Sequence, residues 1–191
     1  CWRHTVLFAK FGVNFKTDMG VVCWAAKYGH LCVLQFLIDF GLTQEAFLRA
    51  AQCDNNLALR VASVNGRIPV LGFLIDQGFP KHELALDAPD LIRIATVNGQ
   101  IDVLQFFVER AGNTIEQFLE ILRGSHYSLR WMVINGHIHA VRYFLDLGLT
   151  NEEFIVALRS DDNATLRHAA GNGDLVVLQL LINFGLTISD V

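Results

Sequence analysis

Three histidines, His126, His137 and His139, come closer than any other residues of this chain to the spacing of a metal site. Imidazole is a common zinc ligand, but a zinc site needs further ligands, usually cysteine or a carboxylate, at short fixed spacings. Neither residue type stands at such a spacing from these histidines. We therefore expect no metal ion and no other cofactor.

A second candidate for chemistry is Cys23, whose thiol could be activated by the imidazole of His30 or His168. Cys23, however, occupies a column of a sequence repeat that elsewhere holds arginine, and His168 lies four repeats further along the chain. The sequence also lacks a serine nucleophile elbow, a phosphate-binding glycine loop and a His-Glu-x-x-His motif. We expect that the chain is not an enzyme and has no small-molecule substrate.

Composition indicates a folded protein with a substantial core, because 52% of the 191 residues are hydrophobic and only 18% are charged. The net charge of −4 argues against nucleic-acid binding, which needs a basic face. Apolar runs such as 34–38 are far shorter than the roughly 20 residues that span a bilayer, so we expect no membrane insertion. No signal peptide is visible, and we expect a cytoplasmic protein whose four cysteines are reduced.

The chain contains a repeat in which the phrase apolar-Arg-x-Ala is followed by three further residues and then by glycine. The first glycines of successive repeats are 37, 33, 37 and 37 residues apart: Gly29, Gly66, Gly99, Gly136 and Gly173. A second glycine follows each about twelve residues later. Self-similarity at this period indicates stacked helical repeats.

Each repeat predicts a short first helix ending at Asn-Gly and a more apolar second helix. We assign a partial repeat to 1–20 and an array to 21–191, with repeats at about 21–56, 57–90, 91–127, 128–163 and 164–191. The asparagine before the first glycine is expected to be left-handed, and Pro69 is expected in the first turn of a second helix. Leu104 and Leu178 are expected in the core.

The pattern resembles the ankyrin repeat. The match is closest in Thr165-Leu-Arg-His-Ala-Ala-Gly-Asn-Gly-Asp174 and Val176-Val-Leu-Gln-Leu-Leu-Ile182. Two features depart from the family: its proline is absent, and arginine replaces its histidine in four repeats. The long units without β-hairpin fingers look similar to those of bacterial-effector and large-virus ankyrin proteins. The resemblance implies a right-handed solenoid whose first helices form a concave groove.

The connectors after the second glycine predict a third helix in place of the β-hairpin. Threonines at 43, 114 and 150 are suitable N-caps, and Thr114 with Gln117, like Thr150 with Glu153, predicts a capping box. The predicted fold class is therefore all-α, an ankyrin-like solenoid with helical connectors and little or no β-structure.

The resemblance implies that the residue two before the first glycine lines the groove. This column consists of Lys27, Val64, Val97, Ile134 and Gly171. Three successive apolar residues at a solvent-facing position predict a hydrophobic stripe for a partner, with Tyr28 beside it. The alternative is that the third helices or a further part of the chain cover the stripe. Two tryptophans three residues earlier in their repeats, Trp24 and Trp131, are expected mainly in the core.

An arginine column offers a further candidate site at Arg60, Arg93, Arg130 and Arg167. Arginine binds carboxylates or phosphates of a partner bidentately. An aspartate also stands six residues before three of the four, so the arginines could instead hold connector to helix through that carboxylate or the carbonyls of the turn. We favour the structural role. Arg130, which has Gly124 in the matching place, is expected to be the most available for a ligand.

The predicted function is a scaffold that binds another protein in the groove. An alternative is the substrate-targeting arm of a larger multidomain enzyme or of a secreted bacterial effector working in a host cytosol. The repeat pattern, which is cut at both ends of the sequence, motivates that reading. A third reading is a self-assembling spacer, favoured if exposed repeat ends pair with each other.

Overall fold

The computed structural model describes residues 20–110 and 114–186, apart from the side chains of 81–86 and 162. All regular secondary structure in these residues is α-helical, which confirms the all-α prediction. The chain divides between Asp87 and Ala88 into two compact parts, here called the N-terminal half and the C-terminal half. The partial repeat predicted at 1–20 falls, except for its last residue, outside the described residues.

The N-terminal half contains α1 (Gly20–Tyr28), α2 (Leu31–Asp39), α3 (Gln44–Val64), α4 (Ile68–Asp76) and the start of α5 (Lys81–Val97). Helix α1 packs against α2 and α3, and α4 also packs against both of these helices. Consecutive second helices, α2 and α4, are therefore neighbours in this half.

The C-terminal half contains the rest of α5 and six further described helices: α6 (Ile101–Arg110), α7 (Ile115–Arg123), α8 (His126–Ile134), α9 (Ile138–Leu147), α10 (Asn151–Asn172) and α11 (Leu175–Asn183). Helix α8 packs against α7, α9 and α10, and α10 packs against α11. The first helix α8 therefore contacts its own second helix and the connector on either side.

The predicted third helices are present, and two of them run into the next first helix. In α3 the join is a left-handed stretch, with φ of 50°, 59° and 57° at Asp54, Asn55 and Asn56. In α10 the equivalent stretch has φ of 62° at Asp161 and 54° at Asn163. Aspartate and asparagine tolerate this conformation best among the residues with a side chain.

Local signals at the helix starts are confirmed by hydrogen bonds. Thr114 and Gln117 form a reciprocal capping box at the start of α7, and Thr150 and Glu153 form the same box at the start of α10. Pro69 stands in the first turn of α4, as predicted. The connectors therefore begin as helices because a side-chain oxygen replaces the missing backbone partners of the first turn.

The prediction that the asparagine before the first glycine is left-handed is wrong. Asn65 and Asn135 have φ of −99° and −80°, whereas Gly66 and Gly136 have φ of 65° and 75°. Glycine adopts positive φ without a steric cost, so it takes the left-handed position. The asparagine serves the helix end differently: the Asn65 amide donates to the Val61 carbonyl oxygen at 2.7 Å.

The core repeats along the chain. First helices bury the residues four and seven positions before the first glycine in all five repeats. Aromatic rings link each third helix to the following second helix in the pairs Phe47–Phe73, Phe118–Phe144 and Phe154–Phe184. Leu104 is fully buried, as predicted, but Leu178 is only half-buried.

Candidate partner-binding face

Each first helix exposes the same three positions of its repeat, and these positions are here called the first-helix face. It consists of the residues one, two and five positions before the first glycine, which are exposed or half-buried in all five repeats. The residue three positions before that glycine is buried in the first four repeats. Helical periodicity produces this division, since positions 1, 2 and 5 lie on one side of a helix and 3, 4 and 7 on the other.

In the N-terminal half this face carries a cluster of aromatic rings around a cation. Trp24 is 60% and Tyr28 49% exposed, and their rings stack with centroids 5.7 Å apart. The Lys27 ammonium lies 5.3 Å from the Trp24 ring centroid and 5.5 Å from that of Tyr28. The rings pre-organise the cation through cation–π contacts.

The prediction of Trp24 as a core residue is wrong. Ala25 and Ala26 occupy the buried side of α1 at this level, so the indole lies on the same side as Lys27, three residues later. Size and apolarity favoured burial, but the helical position of the residue decided its exposure.

The three apolar residues predicted to form a stripe lie on this face, but they are half-buried rather than fully exposed. Val64 belongs to the N-terminal half, and Val97 and Ile134 to the C-terminal half. The Asn135 amide donates to the Val97 carbonyl oxygen at 3.0 Å. This hydrogen bond connects two consecutive repeats of the C-terminal half next to Val97. A binding role for these residues stays a prediction.

A second aromatic cluster lies on α8 and α10 in the C-terminal half. The Trp131 ring has its centroid 5.9 Å from that of Tyr127 and 5.6 Å from that of His168. Tyr127 is exposed and was missed in the sequence, although an aromatic pair at i and i+4 on a helix is a recognisable local signal.

Arg130 does not lie where a ligand could easily reach it, which corrects the expectation from the sequence. Its side chain is 11% exposed and lies 3.4 Å from the Asp161 carboxylate; it also donates to the Ser160 hydroxyl at 3.1 Å. Both partners belong to the left-handed join of α10 or its edge. The guanidinium therefore links α8 to the following connector.

The other arginines support the structural interpretation in part. Arg167 donates to the backbone carbonyl of Asp161 at 3.3 Å, which is the turn contact proposed as an alternative to the carboxylate. Arg93 pairs with Asp90 at 2.8 Å. The Asp87 carboxylate instead accepts a hydrogen bond from the Asn56 amide.

The histidines and the residues that follow the first glycines contribute to packing between repeats. A Cβ placed on Gly99 would lie 2.5 Å from Cγ of His137, and one placed on Gly29 would lie 2.8 Å from Cδ of Arg67. His139 has a ring nitrogen 3.3 Å from the Gly99 carbonyl oxygen.

Burial lowers the pKa of His137 below its ordinary 6.5, and His139 lowers it further. Within the described residues, no three potential metal ligands come together.

Two thiols meet between α1 and the join of α3. The sulfur atoms of Cys23 and Cys53 are 3.8 Å apart, and burial, followed by contact with Cys53, raises the pKa of Cys23 to about 12. A thiol that stays protonated is a poor nucleophile. The expectation of reduced cysteines is correct for this pair of free thiols and wrong for Cys32, which is disulfide-bonded.

Among the described helices, none has both the length and the hydropathy needed to cross a bilayer. In comparisons with known proteins, no family model, no curated protein and no solved structure matches this chain. The class defined by the structure alone is an all-α protein in which each first helix exposes the same positions of its repeat.

Proposed function

We propose that this chain is an interaction scaffold, an ankyrin-like helical solenoid that binds a partner protein on the first-helix face. The observation that carries the proposal is the constancy of that face: the same three columns reach the surface in all five repeats. A surface kept open by every repeat is suited to an extended partner, because each repeat adds contacts of the same kind.

The side chains on this face support a protein partner. Trp24, Tyr28 and Trp131 offer large rigid surfaces, and aromatic residues are enriched at the energetic centres of protein interfaces. Half-buried aliphatic side chains at Val97 and Ile134 provide apolar contact without needing much rearrangement. Since these residues are fixed on helices, binding would cost little ordering entropy.

The proposal assigns the chain a binding role rather than catalysis, in the cytoplasm. The free thiols of Cys23 and Cys53 support that location, whereas the disulfide at Cys32 argues against it. Cell fractionation of the tagged chain tests this part of the proposal directly.

The proposal is tested by capture of partners from a eukaryotic lysate, with identification by mass spectrometry and binding measured with the purified partner. One variant carries Trp24→Glu and Tyr28→Glu at exposed positions; a second carries Val64→Glu, Val97→Glu and Ile134→Glu. A control carries Phe40→Glu and Val156→Glu, whose exposure is similar to that of Trp24 and Tyr28 but which do not lie on the first-helix face. Circular dichroism establishes that each variant is folded.

We expect partners that bind wild type and the control but are lost from the face variants. The same partners on all folded variants would overturn the proposed face. Loss from the control and the face variants alike would show that the capture depends on general surface hydrophobicity, which also contradicts the proposal.

A further inference from the structure

Cys23 and Cys53 occupy two positions of the first repeat at which the fourth repeat carries Arg130 and Ser160. One position stands six residues before the first glycine of its repeat, and the other stands 24 residues after that glycine. In the fourth repeat the Arg130 guanidinium donates to the Ser160 hydroxyl at 3.1 Å. In the first repeat the two sulfur atoms are 3.8 Å apart. Both members of one contact between helix and connector are therefore cysteines in the first repeat.

The surroundings of the two contacts correspond as well. Each contact connects a first helix to a left-handed join, which lies in α3 for the cysteines and in α10 for Arg130. The next residue in both joins is an aspartate, Asp54 in α3 and Asp161 in α10. Asp161 pairs with Arg130, whereas the equivalent position of α1 holds Cys23. The first repeat thus has the backbone arrangement of this contact, with two thiols where the fourth repeat has a charged hydrogen bond.

Two thiols in this arrangement contribute little as hydrogen-bonding groups. The thiol is a weak donor and a weak acceptor, whereas a hydrogen bond from a guanidinium is charge-assisted and stronger. The property that distinguishes Cys23 and Cys53 from an arginine and a serine is that they can join covalently. This property, rather than the hydrogen bond, gives the pair a use.

The geometry allows a covalent bond between the two sulfur atoms. A disulfide holds its sulfurs about 2.05 Å apart, so these two must approach by about 1.8 Å from their present 3.8 Å. Cys53 can make this movement, since it is half-buried and lies outside the helical conformation, with ψ of 154°. Cys23 is held in place on the buried side of α1.

We propose that Cys23 and Cys53 form a reversible disulfide, which links α1 covalently to the join of α3 when the surroundings become oxidising. Disulfides that form in a reducing compartment are usually transient and redox-sensing. The proposal is independent of the partner binding proposed above, because the bond requires only the two thiols and an oxidant.

The oxidant is a small disulfide such as oxidised glutathione. Cys53 reacts first because it is half-buried, whereas burial raises the pKa of Cys23 to about 12 and keeps its proton in place. The Cys53 thiolate attacks one sulfur of the small disulfide and releases one small thiol. Cys23 then attacks Sγ of Cys53, gives its proton to the departing thiolate and releases the second small thiol. Two cysteine thiols are oxidised, and one small disulfide is reduced to two thiols.

Peptide mapping of the wild-type chain tests the proposal. The chain is equilibrated in mixtures of reduced and oxidised glutathione, alkylated and digested with trypsin, which places Cys23 in 17–27, Cys32 in 28–49 and Cys53 in 50–60. We expect peptides 17–27 and 50–60 to become linked within single chains as the glutathione is oxidised, and to separate in dithiothreitol. Glutathione that stays on Cys53 without a link, a link to Cys32, or a link that forms only in urea would overturn the proposal.

A variant that introduces the pair of the fourth repeat provides the matched control. Cys23→Arg with Cys53→Ser places an arginine and a serine beside Asp54, as in the contact of Arg130. Should circular dichroism show that this variant does not fold, Cys53→Ser alone replaces it, because it removes one sulfur atom and leaves α1 unchanged.

Limited proteolysis compares the control with wild type. Trypsin cleaves after Lys27, at the end of α1, when this helix opens from α3. Oxidised glutathione should slow this cleavage about tenfold more in wild type than in the control, because the disulfide opposes the opening. Both proteins keep Cys32, so an effect of the oxidant on that residue is common to them. Equal responses of the two proteins would overturn the proposal.

Discussion

Two surfaces of this protein differ in whether the equivalent residues of the other repeats are also exposed. The columns of the first-helix face, which include Trp24, are exposed or half-buried in every repeat, whereas the columns of Ala170 and Leu178 are buried in the first four repeats and lose this cover only in the last described repeat. Exposure of an individual residue does not separate the two cases. Comparison along a repeat column does, since the first-helix columns are open throughout, which supports the proposed binding, whereas the columns of Ala170 and Leu178 are open in one described repeat.

The largest expected effect on stability comes from the column of Leu104 and Leu178, which is buried in the first four repeats. Leu104→Ala removes a fully buried side chain from the column to which Leu178 also belongs, and should lower the free energy of unfolding by about 2–5 kcal/mol. Leu178→Ala should cost about half as much, because its side chain is only half-buried. Urea unfolding measures both. Equal losses would contradict the difference in burial between Leu104 and Leu178.

Glycines at equivalent positions provide a sharper test. Gly99→Ala and Gly173→Ala both place a side chain at positive φ, 63° and 68°, which costs about 1–2 kcal/mol. Only at Gly99 would the new Cβ also meet the His137 ring, so that variant should lose about 1–3 kcal/mol more. Thermal unfolding compares the two. A larger loss at Gly173 would contradict the open space found around its Cβ position.

The sequence predicted what depends on local chemistry. Thr114 and Thr150 begin helices because an oxygen and a Gln or Glu side chain three residues later satisfy the first turn. The all-α class followed from the repeat, because the connectors at Thr43, Thr114 and Thr150 each carried an N-cap threonine. The wrong assignment of Asn65 arose where two neighbouring residues, asparagine and glycine, both tolerate positive φ and glycine has the lower cost.

Errors at the candidate site have a different origin. The exposure of Trp24 could have been read from the helical period, which places it with Lys27, but residue type was given more weight. The partner of Arg130 could not have been read, because Asp161 belongs to the following connector and no local pattern joins residues so far apart. Local sequence signals determine where the helices begin and end, whereas contacts between repeats determine which side chains remain exposed to a partner.

The link between Arg130 and Asp161 is expected to have a smaller effect. Arg130→Met keeps the aliphatic stem and removes the ion pair, and should cost about 0.5–1 kcal/mol, since the Asp161 carboxylate is 69% exposed to solvent. A double-mutant cycle with Asp161→Asn isolates the pair energy. A coupling of zero would mean that Arg130 is held by Ser160 and by packing, without a contribution from Asp161. If Arg130→Met instead abolished partner capture while the stability was unchanged, the residue would belong to the binding surface after all.

The smallest expected effect concerns the thiols beneath the first-helix face. Because burial raises the pKa of Cys23 from 9.0 to about 12, the folded state keeps its proton at pH values where the unfolded state has lost it. The contribution of Cys23 to stability is therefore present below pH 9 and is lost as the pH rises from about 9 to 12. Cys23→Ala should reduce this alkaline loss relative to wild type in urea titrations at pH 8 and pH 10.

In a Cys53→Ser background, Ellman's reagent should label Cys23 at least tenfold more slowly in the folded than in the urea-unfolded chain. Equal rates would mean that α1 opens readily from α3, and the aromatic face carried by α1 would then not be the rigid surface on which the proposed binding depends.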